Sequence, residues 1–214
     1  MGFIGKYVGF AEKLIQCVAT RSATYAAGAA TGIIGFFARP AADAFLDCGI
    51  DESATANQIR SLSSDLVSLY KSETAHLKAG GTVIVVGYPH LFAPSNTWPD
   101  WVRASRCAGI TASDADKVSR LVDALNSTIR SAVTQAGQSV AYLPVDQLFA
   151  NHELCGTADD WINSIPTSDA NEISRGSAPS VHPNEAGQQQ NAHLVGHAVS
   201  SHLRPLPGSP PGPR

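Results

Sequence analysis

The pattern of apolar positions marks out a series of elements along the chain. Between Asp51 and Lys78, Ile59, Leu62, Leu66 and Leu69 recur at helical spacing and predict an amphipathic helix, with Asp51 and Ser53 ahead of it as caps. Gly80 and Gly81 break that pattern, and Thr82 to Val86 is a β-branched apolar run that predicts a central parallel strand. Residues 88–112, with Pro89, Pro94, Trp98, Pro99 and Trp101, predict a long loop. A second helix is expected over 114–136, with Val118, Leu121, Val122, Leu125, Ile129 and Val133 on its buried stripe. Ser113 with Asp116 resembles a capping box at its start, and Gly137 is its stop. Val140 to Val145 predicts a second strand, 147–181 a loop-rich stretch, and Asn184 to Leu203 a last helix capped by Asn184. Upstream, 7–20 predicts a short helix, and the Ala/Gly/Thr-rich 21–47 lacks periodicity.

Helices alternating with strands predict an α/β fold with a parallel sheet. Ligands and catalytic groups of such sheets gather beyond the carboxyl ends of the strands. Attention therefore falls on the segments after Val86 and Val145 and on the loop that carries His182.

Composition narrows the function. Hydrophobic residues make up 43% and charged residues 15% of 214, a globular balance sufficient for one domain with a sizeable core. The net charge of −3, with no Lys/Arg run, gives no footing for nucleic acid. The apolar stretch Tyr25 to Ala38 is too short to span a bilayer, so no stable membrane insertion is expected. The four cysteines, Cys17, Cys48, Cys107 and Cys155, are widely spaced with no C-x-x-C pair. That argues against structural zinc and favours disulfides in an exported protein. The first residues do not read as a signal peptide, since Lys6, Glu12 and Lys13 interrupt the apolar run.

The segment Ser180-Val181-His182-Pro183-Asn184-Glu185-Ala186-Gly187 resembles the last block of SGNH (GDSL-type) hydrolases, where a histidine before Pro and a helix is the general base. Gly81 to Pro89 is similar to a strand of the later half of that fold. Cys107 to Cys155 is similar to the actinobacterial secreted lipase-like branch, through Leu125-Asn126-Ile129, Val145-Asp146, Phe149 and His152-Glu153-Leu154-Cys155-Gly156. Val8-Gly9-Phe10 to Cys17 looks like the helix after the family's Gly-x-Asn-Asp block.

The resemblance implies a three-layer α/β/α, flavodoxin-like SGNH fold over 1–203 with its first strands missing, followed by a disordered Pro-rich tail at 204–214. It implies disulfides Cys17–Cys48 and Cys107–Cys155, secretion, a small-molecule or lipid ester substrate, and no cofactor. His182 would be the base, and the main-chain carbonyl of Pro179 would orient its ring, because Pro179 stands where most of the family has Asp. Asp146 is a distant second choice for that role.

The chain also departs from the family. It has neither Gly-Asp-Ser nor G-x-S-x-G, so no nucleophile block is present. Ile4-Gly5-Lys6-Tyr7 stands where the Gly-x-Asn-Asp block is expected, and the oxyanion-hole asparagine is absent. The reading is an N-terminally truncated hydrolase, inactive and poorly folded or self-associating alone, or else a non-catalytic binding remnant of the same fold. Oligomeric state is left open.

Other residues take plainer readings. His193 and His197, at i and i+4, could ligate zinc on one helix face, but without H-E-x-x-H or a third ligand no metal site is expected. His90 would sit on the catalytic rim as a pocket-lining residue at most. Trp98 and Trp101 are read as pins of the long loop, His152-Glu153 as part of a disulfide-anchored loop, and Tyr25–Ala38 as an insertion. Ser177 and Ser180 are read as turn residues.

Overall fold

The structure is a computed structural model that describes residues 51–99, 107, 110–156, 159–164 and 181–202. The expectations for 7–20, 21–47, Cys17–Cys48, Trp101, Ser177, Pro179, Ser180 and the tail lie outside the described residues.

The elements are α1 (Glu52–Ser61), α2 (Ser63–Thr74), β1 (Val83–Val86), α3 (Ala112–Ala136), β2 (Val140–Leu143) and α4 (Glu185–His202). β1 and β2 form a parallel pair in register from Val83 opposite Val140 to Val86 opposite Leu143. With helices before, between and after the strands, the fold is α/β, as the pattern predicts.

The single helix expected over 51–78 is two. Asp51 caps α1 by accepting a hydrogen bond from the Ala54 amide at 2.9 Å, while Ser53 is simply inside the first turn. At Leu62 the amide bonds back three residues to Ile59, tightening the chain for one step before α2 begins. After Ala75 the backbone continues as i to i−3 turns, and Gly80, at φ +81, reverses it.

The buried stripe also differs from expectation. Leu69 is 48% exposed, and Tyr70 is buried in its place. At about 100° per residue, position 70 returns to within roughly 20° of Ile59, whereas 69 lies about 80° away.

α3 starts earlier than expected, because Thr111 rather than Ser113 is its cap. The Thr111 side chain accepts from the Asp114 amide at 3.1 Å and donates to the Asp114 carboxylate at 2.6 Å. Gly137 ends the helix at φ 111, as predicted. β2 stops at Leu143 because Pro144 follows and cannot donate to the ladder.

Two apolar clusters share α3. One gathers Ile59, Phe92, Trp98, Val118, Leu121, Phe149, Leu154 and Ile162 around the N-terminal half of the helix. The other gathers Tyr70, Ile129, Ala132, Val133 and Val140, with Val83, Val85 and Tyr142 against them. α1 and α2 both pack on α3, and Arg120 holds Glu52 through two hydrogen bonds of 2.7 and 2.8 Å. That contact lowers the Glu52 carboxyl below its ordinary range. Its stabilising effect is therefore present at neutral pH and is lost as pH falls through the carboxylate range. The strands are less enclosed than a central pair would be: β1 is half-buried and ends at an exposed Val86.

The Cys107–Cys155 disulfide is formed, and both residues are buried. By the chain-entropy model, closing its 48-residue separation contributes about 4 kcal/mol. Loss of the bond in Cys107→Ser/Cys155→Ser is expected to lower unfolding free energy by about that amount in denaturant titrations.

Tyr142 has an enclosed hydroxyl with no well-aligned hydrogen-bond partner among the described residues, although the Arg130 guanidinium lies over its ring at 4.9 Å. Burial pushes its phenol up from the ordinary value. The folded state therefore resists ionisation, and stability falls as pH rises past about 10. Tyr142→Phe removes an unsatisfied group, so we expect equal or up to about 1 kcal/mol higher stability at pH 7 and a shallower alkaline loss. A drop of more than about 1 kcal/mol at pH 7 would show that the hydroxyl has a partner.

Candidate active-site rim

Two loops at the carboxyl side of the sheet are held by specific polar contacts. The first follows β1. The Gly87 amide donates to the Leu143 carbonyl at 2.9 Å, extending the ladder one step. Asn126, buried at 6% exposure in the middle of α3, then grips the backbone of Tyr88 on both sides. Its Oδ1 accepts from the Tyr88 amide at 2.9 Å, and its Nδ2 donates to the Tyr88 carbonyl at 2.8 Å. The Tyr88 ring is left 54% exposed.

One turn earlier on α3, Asp123 lies 2.8 Å from the Nε2 of His90. Both side chains are partly exposed, so this pair orients the imidazole more than it stabilises the fold. A side chain at position 87 would collide with the Tyr142 hydroxyl and crowd Asn126, which is why glycine stands at this close approach.

Phe92 to Ala93 pairs with Leu154, and the Trp98 indole donates to the Ala93 carbonyl at 2.9 Å while buried. Trp98 thus pins the long loop, as the sequence suggests.

The second loop carries His182. Asn163 and His182 face each other across a short antiparallel bridge. The Asn163 amide donates to the His182 carbonyl at 2.8 Å, and the Val181 amide donates to the Asn163 carbonyl at 3.0 Å. The Asn163 side-chain amide adds a third bond to the His182 carbonyl at 3.2 Å.

Asn184 completes the arrangement. Its amide donates to the Trp161 carbonyl at 2.9 Å, its Nδ2 to the Asp160 carbonyl at 2.6 Å, and its Oδ1 accepts from Gly187 at 3.1 Å to cap α4. Val181 holds φ 56, a left-handed conformation costly for a β-branched residue and sustained here by the bonds on either side. Gly187 sits directly against the Trp161 carbonyl, with no room for a Cβ.

Trp161 ties this loop to the disulfide. Its ring stacks on His152 at 3.7 Å and meets Phe149 edge-on at 5.7 Å. The Nδ1 of His152 lies 2.8 Å from the Asp159 carbonyl. Between them, His152 and Trp161 connect Cys155 to the His182 turn, which makes His152 an anchor of the loop.

His182 itself is exposed, and its ring has no hydrogen-bond partner among the described residues. Pro179 lies outside them. Asp146 is half-buried, one of its carboxylate oxygens is enclosed with no partner among the described residues, and no hydrogen bond joins it to His182. Buried Glu153 likewise has one unpartnered oxygen.

His193 and His197 are both exposed on α4, and no group of three or more metal-ligating side chains occurs among the described residues. A cleft of about 230 Å³ between α1, α2 and α3 is lined by Arg60, Ser63, Ser127, Thr128 and Ser131, and contains none of the rim residues. Among the described residues, no helix is long and apolar enough to cross a membrane.

The sequence pattern does not reveal the grip of Asn126 on Tyr88, the Asp123–His90 contact or the role of Asn163. One signal was present for the first: a polar residue beside Leu125 within an otherwise apolar helical stripe.

No protein-family model matches the chain, and no curated protein matches it. Among solved structures, the chain is similar to an extracellular lipase from Streptomyces rimosus, with a TM-score of 0.50 and 19% identity over 67% of this chain. The match spans 56% of that lipase chain. The similarity establishes a lipase-like α/β fold.

Two substitutions test this geometry. Asn126→Leu removes both bonds to the part-buried backbone of Tyr88, so a loss of about 1–2 kcal/mol in unfolding free energy is expected. Gly187→Ala must displace the Trp161 carbonyl. The expected result is changed amide chemical shifts at 161–163, 181, 182 and 184, with those of β1 and β2 unmoved.

Proposed function

We propose that this chain carries the base-bearing part of a serine ester hydrolase of the SGNH type, with His182 as general base. One observation carries the reading. On a lipase-like scaffold, His182 is presented to solvent from a backbone turn fixed by Asn163, Trp161 and Asn184 immediately before a helix. Histidine side chains titrate near neutrality, so one held this way is suited to take a proton from a serine hydroxyl and return it to the leaving alcohol. The serine oxygen would attack the ester carbonyl, expel the alcohol and form an acyl-enzyme that water then hydrolyses.

The sequence contains neither Gly-Asp-Ser nor G-x-S-x-G, so the nucleophile would come from outside the 214 residues, and the chain alone would be inactive. The carbonyl of Pro179 is our candidate to orient the ring. The buried disulfide and the extracellular lipase neighbour support secretion. Acyl esters of small alcohols or lipids are the substrate class.

The absence of a nucleophile block also favours a second reading, a binding remnant of the fold without catalysis.

The deciding experiment starts with the coding sequence upstream of Met1. A reading frame there, intact or one frameshift away, that encodes Gly-Asp-Ser would be co-expressed with this chain. The mixture is then assayed with p-nitrophenyl esters and a fluorophosphonate probe. We expect hydrolysis and serine labelling from the pair, neither from the 214-residue chain, and loss of turnover by at least about 1,000-fold in His182→Ala. Turnover indifferent to His182→Ala would end the proposal for that residue. An upstream stop codon with no such block would favour the binding remnant.

A further inference from the structure

We propose that His193 and His197 form a surface site for a divalent transition-metal ion, binding Cu²⁺ more tightly than Ni²⁺ or Zn²⁺. The site is separate from the ester-hydrolase reading and does not depend on it. Residues four apart on a helix lie in one row, with Cβ atoms about 6 Å apart, so two imidazoles can close on a single ion. α4 supplies such a row well inside an 18-residue helix whose first turn is capped by Asn184.

Both imidazoles are available. His193 and His197 are exposed, and neither ring enters a hydrogen bond or ring contact among the described residues. Three other histidines have a ring nitrogen committed: His76 to the Ser72 carbonyl, His90 to Asp123, and His152 to the Asp159 carbonyl. His182 has no histidine four residues away.

The surroundings also suit a cation. α4 contains no Lys or Arg to repel one, and Glu185 lies on the same row toward the N-terminus. Gly196, three residues after His193 and one before His197, has no Cβ, and nothing stands within 4 Å of where one would be. The outer coordination positions therefore open to solvent and would be filled by water.

With two imidazoles and no third protein ligand among the described residues, the site is exchangeable. That distinguishes it from the three- and four-ligand zinc sites of enzymes and structural domains. The order of affinity follows from imidazole donors, for which Cu²⁺ exceeds both Ni²⁺ and Zn²⁺. An ion clipping one turn to the next binds the folded helix only, so it raises the stability of α4 and of the His182 turn that leads into it.

The test uses the full chain, without an affinity tag, titrated with CuCl2, NiCl2 and ZnCl2 in a non-chelating buffer by calorimetry and thermal melting. We expect one saturable Cu²⁺ site, weaker Ni²⁺ and Zn²⁺ binding, and a melting temperature that climbs with metal concentration. His193→Gln and His197→Gln should each weaken Cu²⁺ binding by at least about tenfold, while His76→Gln leaves it unchanged. Gln is a good helix former, and circular dichroism of each variant checks that the fold is retained. Copper binding within about twofold of the parent in the double variant, or its loss in His76→Gln, would overturn the assignment.

Discussion

Two parallel strands cannot be joined by a tight turn, because the chain must travel back to the starting edge before the second strand can begin. In this protein α3 spans most of that return, and much of the described structure depends on it. Its 25 residues, about 38 Å of helix, reach across both apolar clusters. The same helix receives α1 and α2 on its surface and sends Asn126 and Asp123 to the loop after β1. A single amphipathic element therefore sets the sheet register, the placement of the preceding helices and the position of one side of the rim.

The other side of the rim depends on loops, and loops need polar bonds to hold a shape. The described residues of this side, 152–156, 159–163 and 181–184, are joined to one another by hydrogen bonds of Trp161, Asn163, Val181 and Asn184 and of the His152 ring. The disulfide and the stacked rings limit how far these segments can separate. Such bracing lets Val181 stay in an unfavourable backbone conformation, which in turn fixes the direction in which His182 leaves the turn. A base that must meet a nucleophile from another part of a fold gains from being held rigidly in this way.

What could be read from the sequence by itself was whatever depends on local period and on backbone chemistry. The β-branched run at 82–86 and the apolar segment at 140–145 marked the two strands, the apolar stripe from Val118 to Val133 marked α3, and Gly137 and Asn184 marked a helix end and a helix start. The resemblance around His182 pointed to a hydrolase, and the structural similarity to a lipase supports the fold that it implied. Local signals also misled. The capping-box pattern pointed to Ser113, whereas the cap is Thr111, whose hydroxyl meets the free amide of Asp114. The stripe of the preceding helix was read through Leu69, whereas the ring of Tyr70 joins Ile129 in the core and is buried.

Only the tertiary structure decided the contacts between residues far apart in sequence. The hold of Asn126 on Tyr88 and of Asp123 on His90, and the bridge between Asn163 and His182, each join segments from 19 to 38 residues apart, whereas the Cys107–Cys155 pairing was already implied by the family resemblance. No periodicity encodes these contacts, because each partner satisfies its polar atoms or fills a space that exists only after the helices and strands have packed. The sequence thus determined which elements form and which chemical groups are available. Packing determined which of those groups meet: it left His182 exposed on a braced turn and the His193–His197 row open to water.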